Sequence, residues 1–125
     1  MTDAEFDALK AKFDALIEKW VNTLGLYSWD ISYAFERDSG RFVEEHGNCS
    51  ALCIVKWPYM HAGIYFNMQQ FVDLDDRKIE IIFIHELMHV FLKELRADDD
   101  GMDDHEERVA QMLTMALIWT READR

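Results

Sequence analysis

No stretch of this 125-residue sequence approaches the roughly 18 uninterrupted apolar residues of a membrane-spanning helix, so no helical span and no membrane partner is expected. It also lacks any cluster of Lys and Arg: 13 bases stand against 25 acids, a formal net charge of −12. A nucleic-acid face needs a basic patch to neutralise phosphates, so direct contact with DNA or RNA is not expected. The acid-rich balance suits a soluble protein or one that attracts basic partners. Cysteine is scarce. Cys49 and Cys53 fall in a stretch that reads as a strand, where their Cα atoms would lie roughly 13 Å apart, too far for a disulfide. They are expected to be buried thiols, because no second cysteine pair completes a zinc-ribbon pattern. No serine or cysteine nucleophile constellation, glycine-rich phosphate loop or internal repeat is visible. The N-terminus, MTDAEFDALKAKF, opens on acids and lacks the basic-then-apolar layout of a signal peptide, so the expected location is cytoplasmic.

What is present is a foldable chain. Half of its residues are hydrophobic and 13% are aromatic, and the length suits a single domain over residues 1–125. From Thr2 to Leu24, apolar residues recur every three or four positions, through Phe6, Leu9, Phe13, Leu16 and Trp20, which predicts an amphipathic helix. Thr2 with Glu5 forms a capping box, and Gly25 suits the position just past the end. WDISYAFER (Trp29–Arg37) alternates as a half-buried strand does, and DSGRFVEEHGN reads as a loop. CSALCIVKW is apolar on both alternating sets and is expected to be an interior strand, ended by Pro58. HAGIYFNM alternates through Ala62, Ile64 and Phe66 and is expected at an edge. A helix follows, with Asp73, Asp75 and Asp76 available to cap its start, and runs to about Leu95. The last helix starts near Asp103 or Asp104, with Val109, Met112, Leu113 and Ala116 as its expected core stripe. The fold class is α+β, a small mixed or antiparallel sheet packed on two or three helices.

Within the second of these helices the sequence reads IHELMHV, an HExxH motif. His85 and His89 are one helical turn apart on one face, so both imidazoles can reach a single ion, and zinc accepts two such nitrogens. Glu86 is rotated about 100° from His85, near such an ion without needing to bind it. From there it can take a proton from a zinc-bound water that attacks a carbonyl. At this composition HExxH arises by chance roughly once in sixty shuffles, so the motif alone is only suggestive. Its setting adds weight: without a partner, two histidines and a glutamate in an apolar helix would cost several kcal/mol.

A catalytic zinc takes three protein ligands. Extending the expected core stripe of the last helix backward by three or four reaches His105 and Glu106, with Glu107 on the flank. Stripe geometry therefore ranks Glu106 first, His105 second and Glu107 third.

HELMH on a central helix, followed by Glu106 opening another apolar helix, resembles the small gluzincin-type zinc metallopeptidases, including the compact bacterial and prophage-encoded ImmA/IrrE-like proteins. The resemblance implies a minimal zincin-like domain with zinc on His85, His89 and Glu106, and Glu86 as general base. It also implies a peptide or protein substrate held along the edge strand, taken here as Ala62–Phe66, by β-augmentation. His105 leaves open a three-histidine arrangement similar to that of SprT-like proteases, and a zinc-holding regulatory domain without turnover is a further alternative. Arg96–Glu107 nearly matches a calcium loop through Asp98, Asp100, Gly101 and Glu107, but Arg96 stands where the first carboxylate ligand belongs. Tyr59, His61 and Tyr65 are candidates to stabilise an oxyanion, against ordinary aromatic packing.

Overall fold

The computed structural model describes residues 1–96 and 103–123 of the chain. It is an α+β arrangement of four helices and a three-stranded mixed sheet. Helix α1 (Asp3–Thr23) opens with the capping box: the Thr2 hydroxyl accepts from the Glu5 N–H, and the Glu5 carboxylate accepts from the Thr2 N–H. Gly25, at φ 72°, takes the left-handed conformation just beyond its end, where a side chain would be strained.

Strand β1 (Asp30–Glu36) leads into α2 (Ser39–His46), a helix where the sequence suggested a loop. Asp38 caps it by accepting from the Arg41 N–H, and Phe42 is its buried anchor. Phe42, the hydrogen bond from Asn67 Nδ2 to Ser39 Oγ at 3.1 Å and the His46–Tyr65 ring contact hold these eight residues against the sheet, despite Gly40 among them.

Strands β2 (Ala51–Lys56) and β3 (His61–Asn67) are joined by a short 3-10 turn over Trp57–Tyr59 that contains Pro58. The order is β1-β3-β2, with β3 parallel to β1 and antiparallel to β2. The expected positions of the two later strands are thus exchanged. Strand β3 is bonded on both sides and buries Ala62, Ile64 and Phe66, while β2 is an edge whose Ile54 is exposed. Apolarity on both alternating sets of β2 suggested an interior place. Instead, Ala51, Cys53 and Val55 face the core while Leu52 and Ile54 lie on the outer face.

Helix α3 (Asp76–Arg96) crosses the inner sheet face, capped by Asp75, whose carboxylate accepts from the Lys78 N–H at 2.8 Å. It buries Ile79, Phe83, Ile84, Leu87 and Val90. The core centres on Phe13 of α1, whose ring meets those of Phe66 at 4.5 Å, Phe71 at 5.2 Å and Phe35 at 5.6 Å. Glu80 ties α1 to α3 by accepting from Trp20 Nε1 at 2.7 Å and Lys19 Nζ at 2.8 Å. Helix α4 (Asp103–Ala123) packs on α3 and buries Ala110, Thr114 and Ile118. The expected stripe of Val109, Met112, Leu113 and Ala116 is exposed, because α4 is turned to present the other of its two apolar faces. Both cysteines are free. No helix among the described residues is long and apolar enough to cross a membrane.

Candidate metal centre

The rotation of α4 decides which side chains meet the histidines. Its inner stripe of Ala110, Thr114 and Ile118, carried back three or four residues, reaches Glu107 and Glu106, and Gln111 stands one turn beyond Glu107. All three meet α3. His85 and His89 stack one turn apart, ring centroids 5.0 Å apart and nearly perpendicular. His85 Nε2 lies 3.1 Å from Oε2 of Glu107, and His89 Nε2 lies 2.8 Å from its Oε1. One carboxylate therefore faces both Nε2 atoms, and ligand atoms of His85, His89 and Glu107 fall within 4.8 Å of one another.

The Nδ1 atoms point elsewhere. His85 Nδ1 lies 3.1 Å from Oε1 of Gln111, and His89 Nδ1 lies 2.5 Å from Oε2 of Glu106. Glu106, ranked first as a ligand by the stripe argument, thus lies behind His89 rather than at the shared position. Glu107, ranked third, occupies that position. His105 is exposed and belongs to the outer stripe of α4 with Val109, one turn on.

Each ring faces an acceptor at both nitrogens, so these contacts accommodate either neutral tautomer or the doubly protonated ring. With both Nδ1 atoms donating, a neutral ring presents a lone pair at each Nε2, and Glu107 presents only lone pairs in return. Acceptor facing acceptor at about 3 Å is repulsive unless a cation or a pair of protons lies between them. The donor set of two imidazole nitrogens and a carboxylate oxygen suits a divalent metal ion, and carboxylate and amide partners on the far nitrogens are how metal-binding histidines are usually oriented. The group formed by His85, His89 and Glu107 could hold a metal ion.

Glu86 is 7% exposed. Burial pushes its carboxyl up to about 7, with His89 opposing the shift and Glu107 adding to it. The same environment raises the Cys53 thiol, chiefly by burial and then through the charges of Glu86 and Glu106. Cys53, Glu86, His89, Lys93, Glu106 and Glu107 are among the lining of a cleft of about 260 Å³ between β2, α3 and α4. A larger cavity of about 570 Å³ lies between α1 and the start of α3. Its cations are already matched, Lys12 to Asp76, Lys19 to Glu80 and Arg77 to Glu122, and it holds none of the histidines. His89 and Glu107 of the candidate metal group line the smaller cleft.

None of the three oxyanion candidates lines that cleft. Tyr59 is exposed, His61 pairs with Asp30 at 3.6 Å, and Tyr65 lies on the opposite sheet face with its ring 4.8 Å from that of His46. The calcium-loop positions Asp98, Asp100 and Gly101 lie outside the described residues. Sequence reasoning passed over Gln111 and Lys93. The signal for Gln111 was its i,i+4 spacing from Glu107, and for Lys93 the same spacing from His89. Compared with protein-family models, curated proteins and solved structures, the chain matches none.

Proposed function

We propose that this chain is a zinc-dependent metallopeptidase of gluzincin type, with His85, His89 and Glu107 as the ligands, Glu86 as the general base and Glu106 as the carboxylate orienting His89. The observation that carries the reading is the convergence of two Nε2 atoms and one carboxylate, with an acceptor oxygen beside each Nδ1 that can hold its proton there. Zinc at that point would supply Lewis acidity for hydrolysis of a peptide carbonyl. Glu86 is suited to holding and releasing a proton near neutrality, because burial raises its carboxyl to about 7. It would take the proton of the attacking water and pass it to the departing amine.

The substrate strand is assigned to β2 in place of β3. The Asn67 N–H donates to the Ser50 carbonyl at 2.8 Å, and antiparallel pairs alternate, so Leu52 and Ile54 bond inward to β3. The N–H and C=O groups of Ala51, Cys53 and Val55 therefore point away from the sheet, beside the cleft. An extended peptide that adds to this edge would lie across the site.

A domain that holds metal without turnover is the second reading. The modest cleft favours it, being smaller than the ~300 Å³ at which small-molecule sites usually begin. The test is zinc content by elemental analysis, followed by a peptide-library cleavage assay with Glu86→Gln as control. Stoichiometric zinc with cleavage that the substitution removes supports the peptidase. Zinc without cleavage in any library leaves the non-catalytic reading, and no zinc after reconstitution overturns both.

A further inference from the structure

Three Lys or Arg side chains are partly buried among the described residues, and two of them are satisfied. Lys19 donates to Glu80 at 2.8 Å, and Arg121 donates to Thr23 Oγ1 at 3.2 Å with its guanidinium over the Trp20 ring. Lys93 is the third. It is the one cation lining the smaller cleft, in company with the carboxylates of Glu86, Glu106 and Glu107. Yet among the described residues it has no hydrogen bond, ion pair or ring contact. A partly desolvated ammonium without a partner is costly, and groups of that kind usually meet one. The carboxylates nearest to hand are engaged elsewhere, Glu107 with both Nε2 atoms and Glu106 with His89 Nδ1.

We propose that Lys93 sets the specificity of the cleft by holding a carboxylate of the peptide substrate, within about three residues of the bond that is cut. The proposal rests on the peptidase reading above. Lys93 stands one turn beyond His89 on α3, about 6 Å along the axis, and a helical side chain leans back toward the preceding turn. An extended peptide advances about 3.3 Å per residue, so that offset is about two residues of substrate. Ala51 and Cys53, which offer the open edge of β2, line the same cleft. Burial, then Glu86 and Glu106, raise the Cys53 thiol while Lys93 opposes them, so Lys93 acts within reach of that edge. The net charge of −12 repels anions at long range, but exposed charges are screened beyond about 10 Å at 0.1 M salt. A contact made inside the cleft is screened much less. The carboxylate is either the C-terminus of the peptide or an Asp or Glu side chain, and the two share one chemistry.

The test uses a random peptide library with free C-termini and two twins of it, one amidated at the C-terminus and one with Asp and Glu replaced by Asn and Gln. Capture on zinc-loaded Glu86→Gln protein reads binding without turnover, and cleavage by the wild type reads KM and kcat. The expected result is enrichment of a carboxylate near the bond, lost in the amidated twin if it is terminal and in the other twin if it is a side chain. Lys93→Met should abolish the enrichment and raise KM for the preferred peptide about 10–100-fold with kcat little changed, the loss of one hydrogen bond between charged groups. Lys93→Gln serves the same purpose should the Met variant not fold. Lys93→Glu should turn the preference toward Lys and Arg, a reversal that a structural role would not produce. Cleavage indifferent to carboxylates in all three libraries overturns the proposal and leaves the peptidase reading standing. So does a loss in Lys93→Met that falls on kcat with KM unchanged, which would place Lys93 at the reacting carbonyl. Neither capture nor cleavage of any peptide overturns both.

Discussion

Oε2 of Glu106 lies 2.5 Å from Nδ1 of His89, and both side chains are nearly buried. A proton held on Nδ1 by this contact leaves the Nε2 lone pair turned toward Glu107. A charged acceptor also raises the basicity of that nitrogen, so Glu106 acts on any metal through His89. Alanine at His85, His89 or Glu107 is therefore expected to abolish tight zinc binding. Glu106→Ala should weaken it about 10–100-fold, and His105→Ala should leave it unchanged. Titration with zinc against a competing chelator separates the three outcomes. Loss of binding in Glu106→Ala equal to that in Glu107→Ala would return Glu106 to the ligand set.

Glu86→Gln keeps the size and most of the hydrogen bonding of the side chain but cannot take a proton. The expected result is full zinc content with peptide cleavage lowered by at least about 100-fold, the lower range for a general base. A metal-replete, active Glu86→Gln enzyme would remove Glu86 from the mechanism.

The metal-free chain should show the cost of burying Glu86. Its carboxyl titrates near 7 in the native state against an ordinary 4.5. Between those values the native state holds a proton that the unfolded state has lost, so stability falls as pH rises through the window. The gap corresponds to roughly 3 kcal/mol. Chelator-treated wild type is expected to melt at lower temperature at pH 8 than at pH 5.5, and Glu86→Gln should remove most of that difference. Equal slopes in the two proteins would mean that Glu86 is not what the pH change senses.

Edge-strand binding makes a separate prediction. A proline at position 51 removes an N–H that points away from β3 and leaves the sheet bonds intact, as prolines on edge strands do. Ala51→Pro is expected to retain zinc and melting temperature while raising KM for an extended peptide by about 5–10-fold, the loss of one hydrogen bond. Unchanged KM would mean that the peptide lies elsewhere.

Phe13 joins α1 to the sheet and to α3 at the centre of the core. Phe13→Ala is expected to cost about 3–5 kcal/mol, read as a lowered midpoint in urea. A smaller loss would mean that the aromatic cluster closes over the cavity.

The elements with one unambiguous period were legible in the sequence. Thr2, Glu5 and Gly25 bounded α1, the alternation from Trp29 marked β1, and HELMH lay on a buried helix as its spacing required. Ambiguity entered wherever a segment was apolar on two sides. In α4, the stripe through Val109 and the stripe through Ala110 are both plausible core, and only packing against α3 chooses between them. That choice turns the helix enough to bring Glu107 in place of Glu106 beside both Nε2 atoms. The exchange of edge and centre between β2 and β3 has a similar origin, because strand order is a matter of pairing partners and not of composition. Helix α2 was hidden by two glycines and three acids around its buried residue, Phe42.

Every ligand and orienting side chain of the metal centre comes from α3 or α4, from His85 to Gln111. An ion held there would act as a cross-link between the two helices, closing a loop as a disulfide does and removing freedom from the opened chain. Amide hydrogens along α4 should then exchange much more slowly with zinc than without it, while those in β3 change little. The helix that supplies the third ligand would be the first segment to open when the metal leaves, and starving the chain of zinc would mark it for proteolysis from that end.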